Sequence, residues 1–371
     1  MLFFSVYTVK SSFTAMVLLE KGVMLTTQDG SSNTFDPGTF VQESTSMPSV
    51  VGDNPVLSSE VQEILRCPVC GRRLALAADE AVCSCGAIFP TINGVPILIH
   101  PERSIFDAEV FLKEEATFFK PISRWRRWIS GCLPSLSKNV AAKRVFRRLR
   151  DILIEECVSA NVQPKVLVVG GSVLGDGMES LAEDPRIQLV ETDVSLGPRA
   201  AIICDGHDLP FADGSFDAVI VQAVLEHVTD PIRCVEEIKR VLRPGGLVYS
   251  DTPFMQQIHG REYDFSRFTR LGHRRLFRDF SEIESGISCG PGTALAWSLQ
   301  YFGLSFFRGR RARAAVNGLA RLGFFWLKYF DPFLAKRESA FDAASAFYFL
   351  GRKELTTISD EHLVASYQGG F

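Results

Sequence analysis

The sequence predicts an α/β fold built on mainly parallel strands, and three observations carry that prediction. Short apolar runs at residues 165–169 (KVLVV), 187–190 and 216–221 have the composition that strands buried on both faces require. A glycine-rich turn, residues 170–177 (GGSVLGDG), follows the first run directly. A helix with legible ends follows the third: Thr229 or Asp230 can cap it and Pro231 suits its first position. Ile232, Val235, Ile238, Val241 and Leu242 then fall at helical spacing, and Arg243-Pro244-Gly245-Gly246 stops it before another strand opens at residues 247–249.

In chain order, the first nineteen residues are apolar but lack a basic leader and a small-residue cleavage site. Residues 25–60, rich in Ser, Thr, Gly, Pro and Asp, read as disordered. Residues 1–60 are therefore expected to be a tail, with Met24 or Met47 as alternative starts. Within 61–100, Cys67, Cys70, Cys83 and Cys85 stand as Cys-Pro-Val-Cys-Gly and Cys-Ser-Cys-Gly. Four thiolates on two short turns can close a tetrahedral zinc site, which leaves no open position for water and so is structural. Cys132, Cys157, Cys204, Cys234 and Cys289 are scattered without pairing logic, as suits a reducing compartment.

Residues 101–159 read as a basic helical linker. Residues 121–150 hold nine Lys or Arg and no acid, with Trp125 and Trp128 among them, and Lys143, Arg144, Arg147, Arg148 and Arg150 are expected to line one helix. Such a run is either a phosphate or lipid footprint or a solvated helix face. The main domain is expected over 160–356, closed by an antiparallel pair at 282–289 and 344–353. A helical insertion at 290–342 interrupts that pair, and 357–371 is expected to be a C-terminal tail. Residues 301–330 hold six basic residues, no acid and the cluster Phe324, Phe325, Trp326, Tyr329 and Phe330, a pattern of either a core-facing stripe or a membrane-surface contact.

Residues 205–249 resemble the class I S-adenosylmethionine-dependent methyltransferases, in the type 11 group that includes quinone-pathway enzymes. The matching pieces are Asp205 with Leu209-Pro210-Phe211, Ser215-Phe216-Asp217, Leu225-Glu226-His227 and Val241-Leu242-Arg243-Pro244-Gly245-Gly246. Residues 65–99, through the closing stretch 89–98 (FPTINGVPIL), resemble the zinc ribbon of transfer-RNA methyltransferase activator proteins, which also precedes many class I methyltransferases. The resemblance implies a doubly wound, Rossmann-like, mainly parallel seven-stranded sheet behind a small zinc ribbon, with S-adenosylmethionine and structural Zn2+ as cofactors. It assigns Gly170, Gly171 and Gly175 to the methionine and ribose, Asp193 to the ribose hydroxyls and Asp205 with Gly206 and His207 to the adenine, and adds Gln222 to the cofactor set. The sequence departs from the family pattern at Val168, where an acid is usual, and at Ser172, where a glycine is usual.

Competing nucleotide readings fare worse. A P-loop needs Lys-Ser or Lys-Thr after Gly175, where Asp176-Gly177 stands, and a nicotinamide enzyme would not explain 205–211 or the Arg-Pro-Gly-Gly turn. The loop after the fifth strand, residues 251–268, is expected to meet the substrate, with His259, Tyr263, Asp264 and the earlier His227 as catalytic candidates. The apolar fraction of 46% supports a large core, and a net charge of −3 gives no global case for nucleic acid. The expected function is methyl transfer to a lipid-like, quinone-like or secondary-metabolite acceptor, in the cytoplasm or peripherally at the membrane. Ribosomal or transfer RNA is the alternative acceptor, and a non-catalytic cofactor-binding or partner-activating module is the alternative of another class.

Overall fold

The computed structural model describes residues 57–106, 133–158 and 162–370, so the tail expected before residue 57 and Trp125 and Trp128 of the basic linker lie outside the described residues. The N-terminal unit contributes β1 (Leu74–Leu76), β2 (Glu80–Cys83), β3 (Ile88–Ile92) and β4 (Val95–Leu98). After the linker come β5 (Lys165–Val169), β6 (Gln188–Asp193), β7 (Ile202–Cys204), β8 (Phe216–Gln222), β9 (Leu242–Pro253), β10 (Phe280–Cys289) and β11 (Ala346–Lys353). All eleven form one sheet in the order β1-β2-β3-β4-β7-β6-β5-β8-β9-β11-β10.

In that order β7-β6-β5-β8-β9-β11-β10 form a contiguous run of seven strands, and the N-terminal unit continues the sheet at the β7 edge. Strand β4 pairs in parallel with β7, Ile97 opposite Ile203 and Leu98 opposite Cys204, so the N-terminal unit extends the main sheet. Parallel pairing runs from β4 through β7, β6, β5 and β8 to β9, and β11 and β10 close the edge antiparallel. Asn93 and Gly94 turn β3 into β4 with φ of 50° and 81°, the left-handed pair that a two-residue hairpin demands.

Alternation along the strands divides the core between two faces. Leu167, Val169, Val219 and Val221 point to one face, where the helix Pro231–Val241 buries Cys234, Val235, Ile238 and Val241. The Asp230 carboxylate accepts from Arg233 N at 3.1 Å, so Asp230 is the cap. Ile232, expected on the buried face, is 56% exposed, and Cys234 takes a place on that face instead. Val166, Val168, Ala218 and Ile220 point to the opposite face, against Val145, Phe146, Leu149 and Leu153 of the helix Ala142–Val158. Each such fully buried side chain contributes about 1.5–3 kcal/mol. The basic face of this helix is spent internally: Arg144 and Arg148 both pair with Glu284, Lys143 with Glu179, and Arg150 with Asp151.

Three boundaries differ from expectation. Order begins before residue 61: Leu57 is buried and Ser58 caps the helix Ser59–Ile64, accepting from Val61 N. The Arg-Pro-Gly-Gly segment lies within β9, where Phe216 pairs with Leu242 before the register shifts at Ala218 and Leu247, so the helix ends straight into strand. The expected C-terminal tail docks: the helix Asp360–Ala365 buries Leu363, and Tyr367 donates to Asp342 at 2.7 Å.

Candidate active site

The carboxyl ends of β5, β6, β7, β8 and β9 are where an open parallel sheet binds ligands. At β5 the backbone turns through Gly170 at φ 76°, a conformation L side chains rarely adopt. A Cβ there would also collide with Val224 of the turn after β8. Gly171 packs against Val168 and Glu191, and Gly175 faces Gln222, whose buried Oε1 has no hydrogen-bond partner. Gly177, expected to extend the ligand loop, instead packs on Ala142 and Lys143 at the start of the helix Ala142–Val158. The turn thus brings Gly170, Gly171, Gly175 and Gln222 together.

The Asp193 carboxylate closes the β6 end of this cradle. It accepts from Ser172 N at 3.1 Å and from Ser195 N at 3.0 Å, so the serine that replaces the usual glycine supplies a backbone donor to the neighbouring strand end. Burial raises the Asp193 carboxyl above the ordinary range, and these N–H donors offset part of that. Asp205, assigned by resemblance to the adenine, has partners within the protein. Its carboxylate is buried and engaged by the Ser104 hydroxyl at 2.6 Å, His207 N at 3.0 Å and the His207 ring at 2.6 Å. The other ring nitrogen of His207 accepts from Asp230 N at 3.1 Å. Asp205 therefore ties the end of β7 to a helix cap, and Gly206 is buried beside Cys234.

At β8, Ala223 takes φ 54°, a strained position for a non-glycine residue, and redirects the chain toward Glu226 and His227. The loop after β9 folds back over them. His227 Nδ1 lies 2.7 Å from the Tyr263 carbonyl, and the rings of His227 and His259 meet edge to face at 4.9 Å. Tyr263 also stacks on Phe106 at 5.4 Å. Asp264, a catalytic candidate by sequence, organises this loop: it accepts from His259 N at 2.7 Å and Gly260 N at 3.0 Å and pairs with Arg267. Burial opposes ionisation there, but Arg267 and the two N–H groups hold the carboxyl well below the usual carboxylate range.

Two residues that carried no role in the sequence emerge from tertiary packing. Glu226 is fully buried, with no hydrogen-bond partner for either carboxylate oxygen. Asp251, at the end of β9, receives Ser288 Oγ at 2.8 Å, Asn139 Nδ2 at 3.0 Å and the Tyr249 hydroxyl at 3.3 Å, and burial pushes it up to about 7. The resemblance drew attention to Glu226 only as a motif letter.

In the N-terminal unit, Cys67 Sγ and Cys85 Sγ are 3.9 Å apart and Cys70 Sγ and Cys83 Sγ 3.4 Å, with all four sulfurs within 4.8 Å of one another. Thiolates about 2.3 Å from a tetrahedral zinc stand roughly 3.8 Å from one another, so the donor set fits that ion. A cavity of about 500 Å³ lies on the seam between residues 66–71 and 208–213, away from the strand ends. Its Arg240 is spent on Glu237, Asp213 and the Leu209 and Phe211 carbonyls.

Comparison with known proteins bears on the same strand ends. Residues 175–250, which span β6, β7, β8 and most of β9, match the family model of a methyltransferase domain. It is similar to an uncharacterized methyltransferase of Mycobacterium sp. (strain KMS), 34% identical over 135 residues, which are 33% of this chain and 52% of that protein. A demethylmenaquinone methyltransferase of Paenarthrobacter aurescens (strain TC1) is 36% identical over 110 residues, 27% of this chain and 42% of its own. A Mycolicibacterium smegmatis protein described as a "Probable S-adenosylmethionine-dependent methyltransferase" is 28% identical over 191 residues, 47% and 70% of the two chains. The chain spans about half the length of the first of these relatives. Among solved structures, phosphoethanolamine N-methyltransferase 2 of Haemonchus contortus is 16% identical with a TM-score of 0.34, covering 52% of this chain and 49% of that one.

Proposed function

We propose that this chain is an S-adenosylmethionine-dependent methyltransferase acting on a small, lipid-like or quinone-like acceptor. The observation that carries the reading is the coincidence of the methyltransferase-domain match, residues 175–250, with the strand ends around an open glycine turn. Gly170, Gly171 and Gly175 would cradle the methionine end, Asp193 would accept from the ribose hydroxyls, and Gln222 would supply its unpaired oxygen. Asp205 is assigned a positioning role, holding His207 and the segment through Gly206 beside the adenine end. When bound, the cofactor supplies an electrophilic methyl group. The protein's part is to orient the acceptor against it, and well-oriented pairs reach effective molarities of about 10⁵ M or more.

The acceptor side is assigned to the loop 255–268 and the helices Pro291–Ser305 and Arg310–Phe324. Tyr301 anchors them by donating to the Ile258 carbonyl at 2.6 Å. The demethylmenaquinone methyltransferase similarity and the aromatic surface of these helices favour an apolar acceptor. Arg144 and Arg148 share Glu284, so part of the charge that an RNA acceptor would meet is paired within the protein. Four thiolates of Cys67, Cys70, Cys83 and Cys85 would hold a structural zinc.

Isothermal titration with S-adenosylmethionine tests the cofactor assignment. Asp193→Ala is expected to weaken binding by roughly tenfold to a hundredfold, the loss of a charged hydrogen-bond acceptor being about 1.5–3 kcal/mol. No binding by folded wild-type protein, or tighter binding of a nicotinamide dinucleotide, would reject the reading.

A further inference from the structure

We propose that Glu226, His227 and His259 form a binding site for a divalent transition-metal cation, separate from the four-cysteine cluster. The site itself stands on side-chain geometry; only its role toward the acceptor rests on the methyltransferase reading above.

The first observation is an electrostatic deficit. Neither Glu226 oxygen has a hydrogen bond, and its nearest titratable neighbours are His259 Nε2 at 3.5 Å and His227 Nε2 at 3.8 Å, so an ionised carboxylate there is compensated only where a cation, either a bound ion or a protonated imidazole, joins it. The second is the orientation of the two imidazoles. His227 Nδ1 faces the Tyr263 carbonyl at 2.7 Å, and His259 Nδ1 faces the Gln257 carbonyl at 3.3 Å. A carbonyl only accepts, so in each neutral ring the hydrogen sits on Nδ1 and the lone pair on Nε2. Those two lone pairs converge on one oxygen: His227 Nε2 is 3.8 Å and His259 Nε2 3.5 Å from Glu226 Oε1.

With both rings neutral in that tautomer, three acceptors meet, at separations too long for good hydrogen bonds. Their ligand atoms lie within 4.8 Å of one another, close enough to share one ion. Orientation of each metal-facing imidazole by a backbone carbonyl on its far nitrogen is the outer support that histidine ligands ordinarily have. Glycine at 260 keeps the group together, since a Cβ there would collide with the His227 ring. Two imidazoles and a carboxylate suit a zinc, iron or manganese type ion and leave coordination positions open. Val224, two residues before Glu226, touches the Gly170 turn, so those positions lie beside the cofactor cradle and would take an oxygen donor of the acceptor.

Cobalt(II) titration of the full chain with its ribbon metal retained tests the proposal, read by calorimetry and visible absorption. The expected result is one Co2+ bound per chain, with weak bands of nitrogen and oxygen ligation and no thiolate charge-transfer band. Glu226→Gln, His227→Ala and His259→Ala should each weaken it by roughly a hundredfold or more, with melting curves confirming that the variants fold. Wild-type protein that binds no Co2+ apart from a thiolate-ligated ion overturns the site, and so does unchanged affinity in the folded variants. S-adenosylmethionine titration of the same samples separates the two conclusions: cofactor binding without Co2+ binding removes only the metal site, and the reverse removes only its role in methyl transfer.

Discussion

The four-cysteine cluster and the Glu226–His227–His259 cluster both gather metal-type donors, yet the surroundings differ in kind. The cysteines sit on two surface turns, with Cys70 and Cys85 exposed, and all four donors are soft sulfur. The cleft cluster offers mixed donors around a carboxylate with no exposure, and its loop is already locked by Asp264 and Arg267. In the first case the ion would hold the chain in place; in the second the chain holds the donors in place and the ion would be added to it. Structural and functional metal sites are thus separable by asking which partner is preorganised.

Breaking the cysteine cluster should have the largest effect. Structural zinc in comparable small units is worth about 10–16 kcal/mol. Sharing of the main core makes the consequence wider than the ribbon: Leu65, Leu74, Ala81 and Phe89 pack in the same cluster as Val219 and Phe349. Cys67→Ser, or strong chelation, should therefore lower the melting temperature of the whole fold and not only loosen residues 61–99. Metal analysis with limited proteolysis checks it, and cleavage confined to 61–99 with an unchanged melting curve would contradict the shared core.

The shared core shows what was legible in the sequence. Signals that act within a few residues could be read directly: a cap at Thr229 or Asp230 with Pro231 after it, the Gly170 turn and the spacing of the cysteines. The pairing of β4 with β7 joins residues more than a hundred positions apart, and nothing local announces it. The same holds for the site. His227 and His259 stood out as residue types, but Glu226 became chemically conspicuous only when the loop 255–268 folded over it and removed its water. The protein partners of Asp205 and Asp264, namely Ser104, His207 and Arg267, could not be read from the sequence, because Ser104 is brought in by tertiary contact and the others by the local folding of their loops.

Asp251 provides a buried carboxylate that, unlike Glu226, has donors. Its folded value of about 7 lies above the ordinary carboxylate value of about 3.9. A raised carboxyl means that the folded state holds the proton more tightly, so its stabilising contribution is complete below about pH 4 and is lost as pH rises toward about 7. The size is up to roughly 4 kcal/mol for three pKa units. Urea midpoints measured across that window should fall with pH in the wild type and fall less in Asp251→Asn; parallel profiles would show that Asp251 is ionised throughout.

For Glu226 the sign should oppose that of the cysteine variants. In protein free of divalent metal, Glu226→Gln removes a buried carboxylate that has no hydrogen bond and places an amide N–H beside the two Nε2 lone pairs. A gain of about 1–3 kcal/mol is expected. Melting of the metal-free pair measures it, and a variant less stable than wild type under chelation would mean that the carboxylate already has a compensating proton.

The smallest stability effect belongs to the helical insertion, where the comparison is between a surface that is spent and one that is open. Of the six basic residues there, in a pattern that fits either a core-facing stripe or a membrane-surface contact, Arg321 is tied to the carbonyls of Leu133 and Pro134, Lys328 to that of Ser135, and Arg313 to those of Leu304 and Phe307. Arg308 and Arg311 are exposed, as are Phe302, Phe306 and Phe307, with Phe302 and Phe306 66% and 69% exposed. No described helix is long and apolar enough to cross a membrane, but basic residues flanking open aromatics suit an anionic lipid surface. Phe306→Ala with Trp326→Ala should leave stability within about 0.5 kcal/mol, since both side chains already face solvent. Sedimentation with vesicles containing phosphatidylserine should show clear loss of binding relative to wild type. Equal sedimentation of wild type and variant, or no wild-type binding, would return these aromatics to a role within the protein or its acceptor pocket.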